Sequence, residues 1–301
     1  MADAVIETRG LCKAYGAVEA LRGLDLRVAP GSICGFLGRN GAGKTTTLKV
    51  LMGMVRPTGG SASVFGLDPW NDGVAIRART AFVSDEKDLY DDMTVDGLIR
   101  FTASFYPGWR HEIAARHQRR FALPGMQRVA RLSRGMRTKL ALLLAFSRGA
   151  DLLLLDEATS GLDPVATEEV LQAIVGEVAN AGTTVFFSSH QLTEVEQIAD
   201  HVVLIDEGRA LLAGALDDIR ADYRRVRLVF DADAPSPSFR APGLVRVHRD
   251  GRVLTLLVSH GADAIVAEAR SLSPTAVDVD PTSLKEIFLE SVGSADTGVE
   301  A

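Results

Sequence analysis

The segment Gly38-Arg39-Asn40-Gly41-Ala42-Gly43-Lys44-Thr45 constrains this chain more than any other. It follows an apolar run, Ser32 to Leu37, and opens a stretch with helical spacing, Thr45 to Met54. Strand, glycine-rich turn and helix in that order form a phosphate-binding loop. The glycines let successive backbone amides turn inward around phosphate oxygens, and the helix N-terminus adds partial positive charge. In such a loop Lys44 reaches the β- and γ-phosphates, the Thr45 hydroxyl suits Mg²⁺, and Thr46 belongs to the same helical turn. The expected ligand is a nucleoside triphosphate.

A second segment completes that chemistry. Leu152 to Leu155 reads as a buried strand that ends in Asp156-Glu157. In α/β sheets ligands bind at the carboxyl ends of the strands, which is where these two acids project. Asp156 suits coordination of Mg²⁺, and Glu157 suits orienting or deprotonating an attacking water. Thr183 to Ser188 is a further apolar run without alternation, as expected for a parallel strand covered by helices on both faces. Val5 to Thr8 and Leu24 to Val28 read as an opening antiparallel layer, and Thr80 to Ser84 as another strand. Helices are expected from Thr94, whose hydroxyl can cap one reaching Tyr106, at Pro164 to Asn180, and at Gln191 to Asp200.

The pattern changes near Leu216. Strand-like Arg224 to Phe230, a loop containing Pro235, Pro237 and Pro242, and a hairpin around Asp250-Gly251 follow one another. Helix Ala262 to Arg270, a strand at Ala276 to Val279 and a final helix from Thr282 to Glu290 complete a small α+β unit. The 301 residues therefore divide into an α/β domain over 1–218, with a helical subdomain at 86–148, and an accessory domain over 222–292. Composition excludes other classes. Hydrophobic residues at 47% and charged residues at 24% fit a soluble globular chain. The net charge of −6 argues against a general nucleic-acid binder. Cys12 and Cys34 fit no metal or redox spacing, which suits a reducing, cytoplasmic compartment. Runs such as Leu140 to Phe146 fall far short of the roughly 18 residues of a spanning helix. Met1 to Glu7 carries no basic start followed by an apolar core, so no signal peptide is expected.

Further motifs carry a resemblance. Leu132-Ser133-Arg134-Gly135-Met136 is similar to the signature loop of ATP-binding cassette (ABC) transporter ATPases. Ser160-Gly161-Leu162-Asp163 resembles their D-loop, His190 after Ser188-Ser189 their switch histidine, and Tyr15 the aromatic residue that stacks on adenine. The motifs occur in family order between residues 13 and 190. The resemblance implies an α/β P-loop cassette with an antiparallel β layer and a helical subdomain. It implies Mg-dependent ATP hydrolysis by Lys44, Glu157 and His190, with Thr45 and Asp156 at the metal. It also implies a head-to-tail dimer, either of identical or of paired ATPase subunits. There Ser133 and Gly135 of one subunit serve the nucleotide of the other, and Asp163 lies nearby. The chain would drive separate membrane permease subunits, in an export branch, from the inner face of the membrane.

Departures from the family pattern are also plain. Arg134 stands where the family often has glycine, Met136 where it often has glutamine, and Ala158 where proline is common. Asp85 stands where the Q-loop usually has glutamine; it keeps an oxygen for Mg²⁺ but adds negative charge beside phosphates. Arg110 to Lys139 holds nine Lys or Arg and one acid, Glu112. That run reads either as a solvated basic face or as a contact with a permease helix or anionic headgroups. Phe101, Phe105, Tyr106 and Trp109 just before it are expected to be mostly core. Two other readings stay open: a soluble ABC ATPase acting on ribosomes or DNA, and a module that binds ATP as a signal.

Overall fold

A computed structural model of the chain describes residues 4–235 and 239–293. Pro237 lies outside the described residues. The chain falls into two compact units, Met1–Ala213 and Gly214–Ala301.

The first unit opens with β1 (Ile6–Tyr15) and β2 (Val18–Val28), then β3 (Ile33–Gly38), α1 (Lys44–Leu51) and β4 (Gly59–Val64). Next come α2 (Gly73–Arg79), β5 (Thr80–Val83), α3 (Val95–Ala103), α4 (His111–Arg120) and α5 (Arg134–Ser147). The rest is β6 (Leu152–Asp156), α6 (Pro164–Ala181), β7 (Thr184–Ser189), α7 (Leu192–Ile198), β8 (His201–Asp206) and β9 (Arg209–Ala215), the last crossing the division between units. β2, β1 and β4 form a three-stranded antiparallel sheet. The second sheet has the order β5-β6-β7-β3-β8-β9, and its pairs β5–β6, β6–β7, β7–β3 and β3–β8 are parallel.

Apolar residues explain this layering. β3, β6 and β7 are buried along their whole length, so no residue of theirs alternates to solvent. The core between the two sheets joins Ile6, Leu11 and Leu24 to Phe36, Phe186 and Ile205, with Leu48 and Leu51 of α1 in the same cluster. Phe36 and Phe186 meet at a ring-centroid distance of 5.0 Å. The expected α/β cassette with an antiparallel layer is the fold observed. Because β5, β6, β7 and β3 are parallel neighbours, their carboxyl ends share one edge. The segments leaving that edge are those that contain Asp85, Asp156-Glu157, His190 and the glycine-rich loop.

The second unit contains α8 (Leu216–Asp222), β10 (Arg224–Val229), β11 (Leu244–Asp250), β12 (Val253–Val258), α9 (Ala262–Arg270), β13 (Ala276–Pro281) and α10 (Leu284–Gly293). Its antiparallel sheet has the order β11-β12-β10-β13 and its own core of Val226, Leu228, Leu254, Leu256, Ile265 and Ala269. The hairpin differs by one residue from the sequence expectation. Asp250 pairs with Val253, so the two turn residues are Gly251 and Arg252, with Gly251 at φ 51°.

Candidate functional site

The glycine-rich loop leaves β3 and enters α1 through a left-handed backbone. Gly43, the residue before the helix, has φ 110°, and a Cβ there would lie 2.6 Å from the Ala20 carbonyl oxygen. Gly41 also has a positive φ, 85°. Only glycine adopts such angles without strain, and the turn they permit aims the first amides of α1 toward one point. Gly38 is packed against Ile205, Ala42 is buried, and Arg39 and Asn40 are exposed at the loop tip.

The loop and the two neighbouring strand ends are joined by charge-assisted bonds. Lys44, 7% exposed, donates to the Gly38 carbonyl at 2.7 Å and forms an ion pair with Glu157 Oε1 at 3.1 Å. Thr45 donates its hydroxyl proton to Asp156 Oδ2 at 2.8 Å. Asp156 is buried and accepts a second bond, from the Ser188 hydroxyl at 2.6 Å. His190 Nδ1 lies 2.7 Å from Glu157 Oε2. Glu157 itself has φ 48°, a left-handed angle that is rare outside glycine and costs on the order of 1–3 kcal/mol. Its backbone amide is held by Ser188, through the carbonyl at 3.2 Å and the hydroxyl at 3.1 Å. Such bonding over-determines the conformation and fixes where the carboxylate points.

Lys44, Thr45, Asp156, Glu157 and His190 are thus brought together. Thr46 is half-buried in the same helical turn. Tyr15, 46% exposed at the end of β1, presents its ring beneath the Lys13 ammonium at 4.8 Å from the centroid. Among the described residues no hydrogen bond or ion pair joins Ser133 or Gly135 to the phosphate loop. Ser133 caps α5 by accepting from the Met136 amide at 3.2 Å, and Leu162 of the D-loop packs beside Gly135. Asp163 caps α6 by accepting from the Ala166 amide at 2.9 Å, and that bond holds its carboxyl below the usual carboxylate range. Asp85 is exposed on the segment after β5, with its carboxylate 3.9 Å from the Arg134 guanidinium.

Several contributors carry no motif signal. Ser188 joins Asp156 to the Glu157 backbone, although a serine at a strand end is unremarkable in sequence. Behind it Glu194, buried at 3% exposure, accepts from Thr159 and Ser189, each at 2.7 Å, and so ties the start of α7 to the strand edge. Part of the basic run Arg110 to Lys139 is spent on internal pairs. Arg116 binds Glu177 at 2.8 Å, Lys139 binds Glu169 at 2.6 Å, and Arg137 binds Asp91. The aromatic expectation fails in part. Trp109 is buried, whereas Phe101 and Phe105 are exposed and, with Tyr90, form an edge-to-face chain on the surface.

Comparison with known proteins agrees with this geometry. The sequence profile of the family described as "ABC transporter" matches residues 21–160. The daunorubicin resistance ATP-binding protein DrrA3 of Streptomyces coeruleorubidus is 33% identical over 97% of this chain and 97% of its own. The bacitracin transport ATP-binding protein BcrA of Bacillus licheniformis is 28% identical over 98% of this chain and 99% of its own. A solved ATP-binding subunit of an ABC transporter superposes with a TM-score of 0.65 at 29% identity, covering 72% of this chain and 92% of that one. With the phosphate loop, the strand-end acids and the histidine assembled at one sheet edge, the chain belongs to the ABC transporter family, as one of its ATP-binding proteins.

Proposed function

We propose that this chain hydrolyses ATP with Mg²⁺ to drive separate permease subunits, in the export direction, as one member of an ATPase dimer. The observation that carries the reading is the convergence of Lys44, Thr45, Asp156, Glu157 and His190 at the carboxyl edge of one parallel sheet. The names of the full-length relatives, one a drug-resistance protein and one an antibiotic transport protein, support export.

Lys44 and the amides of Gly41 to Thr45 hold the phosphates, and Tyr15 receives the adenine. The donor set suits Mg²⁺, a hard cation that takes oxygens: the Thr45 hydroxyl and the Asp156 carboxylate already meet at 2.8 Å. Asp85 would supply a further oxygen, directly or through water. When bound, the ion neutralises charge developing on the phosphoryl oxygens. Glu157 orients the attacking water and accepts its proton, and His190, 2.7 Å away, fixes the carboxylate. Among the described residues Ser133 and Gly135 make no hydrogen bond to the chain's own phosphate loop, which suits a role toward a partner's nucleotide beside Asp163.

Among the described residues no helix is long and apolar enough to cross a membrane. The reading therefore places the chain peripherally, on the inner face, through its permeases. The exposed chain Tyr90, Phe101 and Phe105 on the helical subdomain offers an apolar docking surface for one of their cytoplasmic helices. Affinity purification of the tagged chain from membranes of its own host tests this. A membrane protein with about six apolar spans, encoded beside this gene, is expected to co-purify. Recovery of ribosomes or DNA in its place would overturn the transport reading.

A further inference from the structure

Three motif segments meet at Arg134. This residue opens α5 next to Ser133 in the signature loop, and its guanidinium lies 3.9 Å from Asp85 on the Q-loop segment. It also covers the D-loop. A Cβ at Gly161 would lie 2.8 Å from Arg134 Cζ and 2.9 Å from its Nε, so the planar group occupies the space that glycine leaves there. Gly161 has φ 73°, which fixes that stretch of the D-loop in a form glycine adopts freely.

The two partners are also the two positions at which charge departs from the family pattern. Aspartate in place of glutamine adds one negative charge, and arginine in place of glycine adds one positive charge. The fold brings the additions together. Both side chains face solvent, at 64% and 48% exposure, and such pairs contribute little to folding. The consequence is felt at the site instead. Lys87 donates to the Asp85 carbonyl at 2.9 Å; burial, and to a lesser degree Arg134, pushes its ammonium below the usual lysine range while Asp85, Asp156 and Glu157 oppose that shift, so Lys87 stands between this segment and the acids at the end of β6.

We propose that Arg134 is a positioning residue that neutralises Asp85 and ties the Q-loop segment to the signature loop and D-loop of the same chain. The signature loop is thereby held by a group that stands beside the chain's own nucleotide. Without Arg134 the Asp85 carboxylate keeps only the neighbouring Lys87 ammonium to offset its charge, and greater repulsion of the triphosphate lowers affinity for ATP. The inference rests on the proposed function in two respects, that the triphosphate binds at Lys44 and Asp156 and that Asp85 stands beside it.

A double-mutant cycle on the full chain tests it, with the dissociation constant of Mg-ATP from calorimetry as the first readout and steady-state ATPase rate as the second. Arg134→Ala is expected to weaken binding by at least about threefold when Asp85 is present, and by less than about 1.5-fold in the Asp85→Gln background. Arg134→Lys should recover most of the loss, and raising NaCl from about 0.05 to 0.5 M should shrink it, because salt screens exposed charges. Arg134→Gln replaces Arg134→Ala in the cycle if the alanine variant does not fold. Equal losses in the two Asp85 backgrounds would overturn the pairing while leaving the nucleotide site intact. Absence of Mg-ATP binding by the unmodified chain would overturn the proposed function itself, and the inference with it.

Discussion

Replacing Lys44 by alanine removes the cation on which the phosphate loop depends, and its effect can be worked from the contacts. Lys44 is 7% exposed, donates to the Gly38 and Arg39 carbonyls at 2.7 and 3.2 Å, and pairs with Glu157 at 3.1 Å. The same ammonium is therefore held over the loop by backbone oxygens, ready to meet a phosphate. A hydrogen bond to a charged group contributes about 1.5–3 kcal/mol, which corresponds to roughly a 10- to 150-fold loss of ATP affinity. The free chain also loses a pair. His190 at 2.7 Å still holds Glu157, so the fold should lose less than the roughly 3–5 kcal/mol of a broken, fully buried ion pair. Calorimetric titration of Mg-ATP into wild type and Lys44→Ala measures the first effect, and urea unfolding measures the second. A dissociation constant within about twofold of wild type, for a variant of native circular dichroism, would show that Lys44 does not bind phosphate.

Three further outcomes are expected. Cys34 is buried and its thiol is pushed up to about 12 by loss of water, with Asp200 adding to the shift, so it stays protonated at pH 8. Half-exposed Cys12 should therefore react with a thiol reagent in the folded protein, and Cys34 only on unfolding; two equally fast thiols would contradict the packing of β3. Asp163→Ala removes the cap of α6, whereas Asp163→Asn keeps one. Because the carboxyl is held below its usual range, its contribution is present above that range and fades as pH falls through its lowered value. The gap in urea midpoint between wild type and Asp163→Ala should accordingly be larger at pH 7 than in acid, and a gap that grows in acid would refute the assignment. Finally, a chain ending at Ala213 keeps every site residue and the core shared by the two sheets. It should fold and bind ATP, and a folded fragment without nucleotide affinity would place part of the site in the second unit.

The strand-loop-helix order of the phosphate segment and the unbroken apolar runs of β3, β6 and β7 were enough to place the sheet and its active edge. Short-range chemistry sets those features, and it is written in consecutive residues. The ends of β1 and β2 were harder to read. Their burial is irregular and register shifts interrupt their pairing between Thr8 and Leu11 and again near Ala14, so alternation alone marks only fragments of them. The turn between β11 and β12 slid by one residue because Asp-Gly and Gly-Arg both accommodate a positive φ at the glycine. Contacts across the chain were out of reach. Ser188 bonds Asp156 over 32 positions, and Arg134 approaches Asp85 only because α5 returns beside the segment after β5. Phe101 and Phe105 read as core by composition, yet Phe101 on α3 and Phe105 just after it face outward in a chain with Tyr90. Hydrophobicity alone does not tell which apolar residues face the core and which face outward.

Glu157 offers the most direct test of the proposed function, in which its carboxylate beside Lys44 and His190 is needed for hydrolysis, and hydrolysis in turn opens the ATP-closed dimer. Glu157→Gln keeps the shape and the reach of the side chain but cannot accept the proton of water. Size-exclusion chromatography with light scattering in Mg-ATP, run alongside an ATPase assay, reads both consequences at once. The variant is expected to bind ATP, hardly hydrolyse it and elute as a dimer when ATP is present and as a monomer when it is not. A Glu157→Gln protein that stays monomeric in Mg-ATP and hydrolyses at the wild-type rate would contradict it.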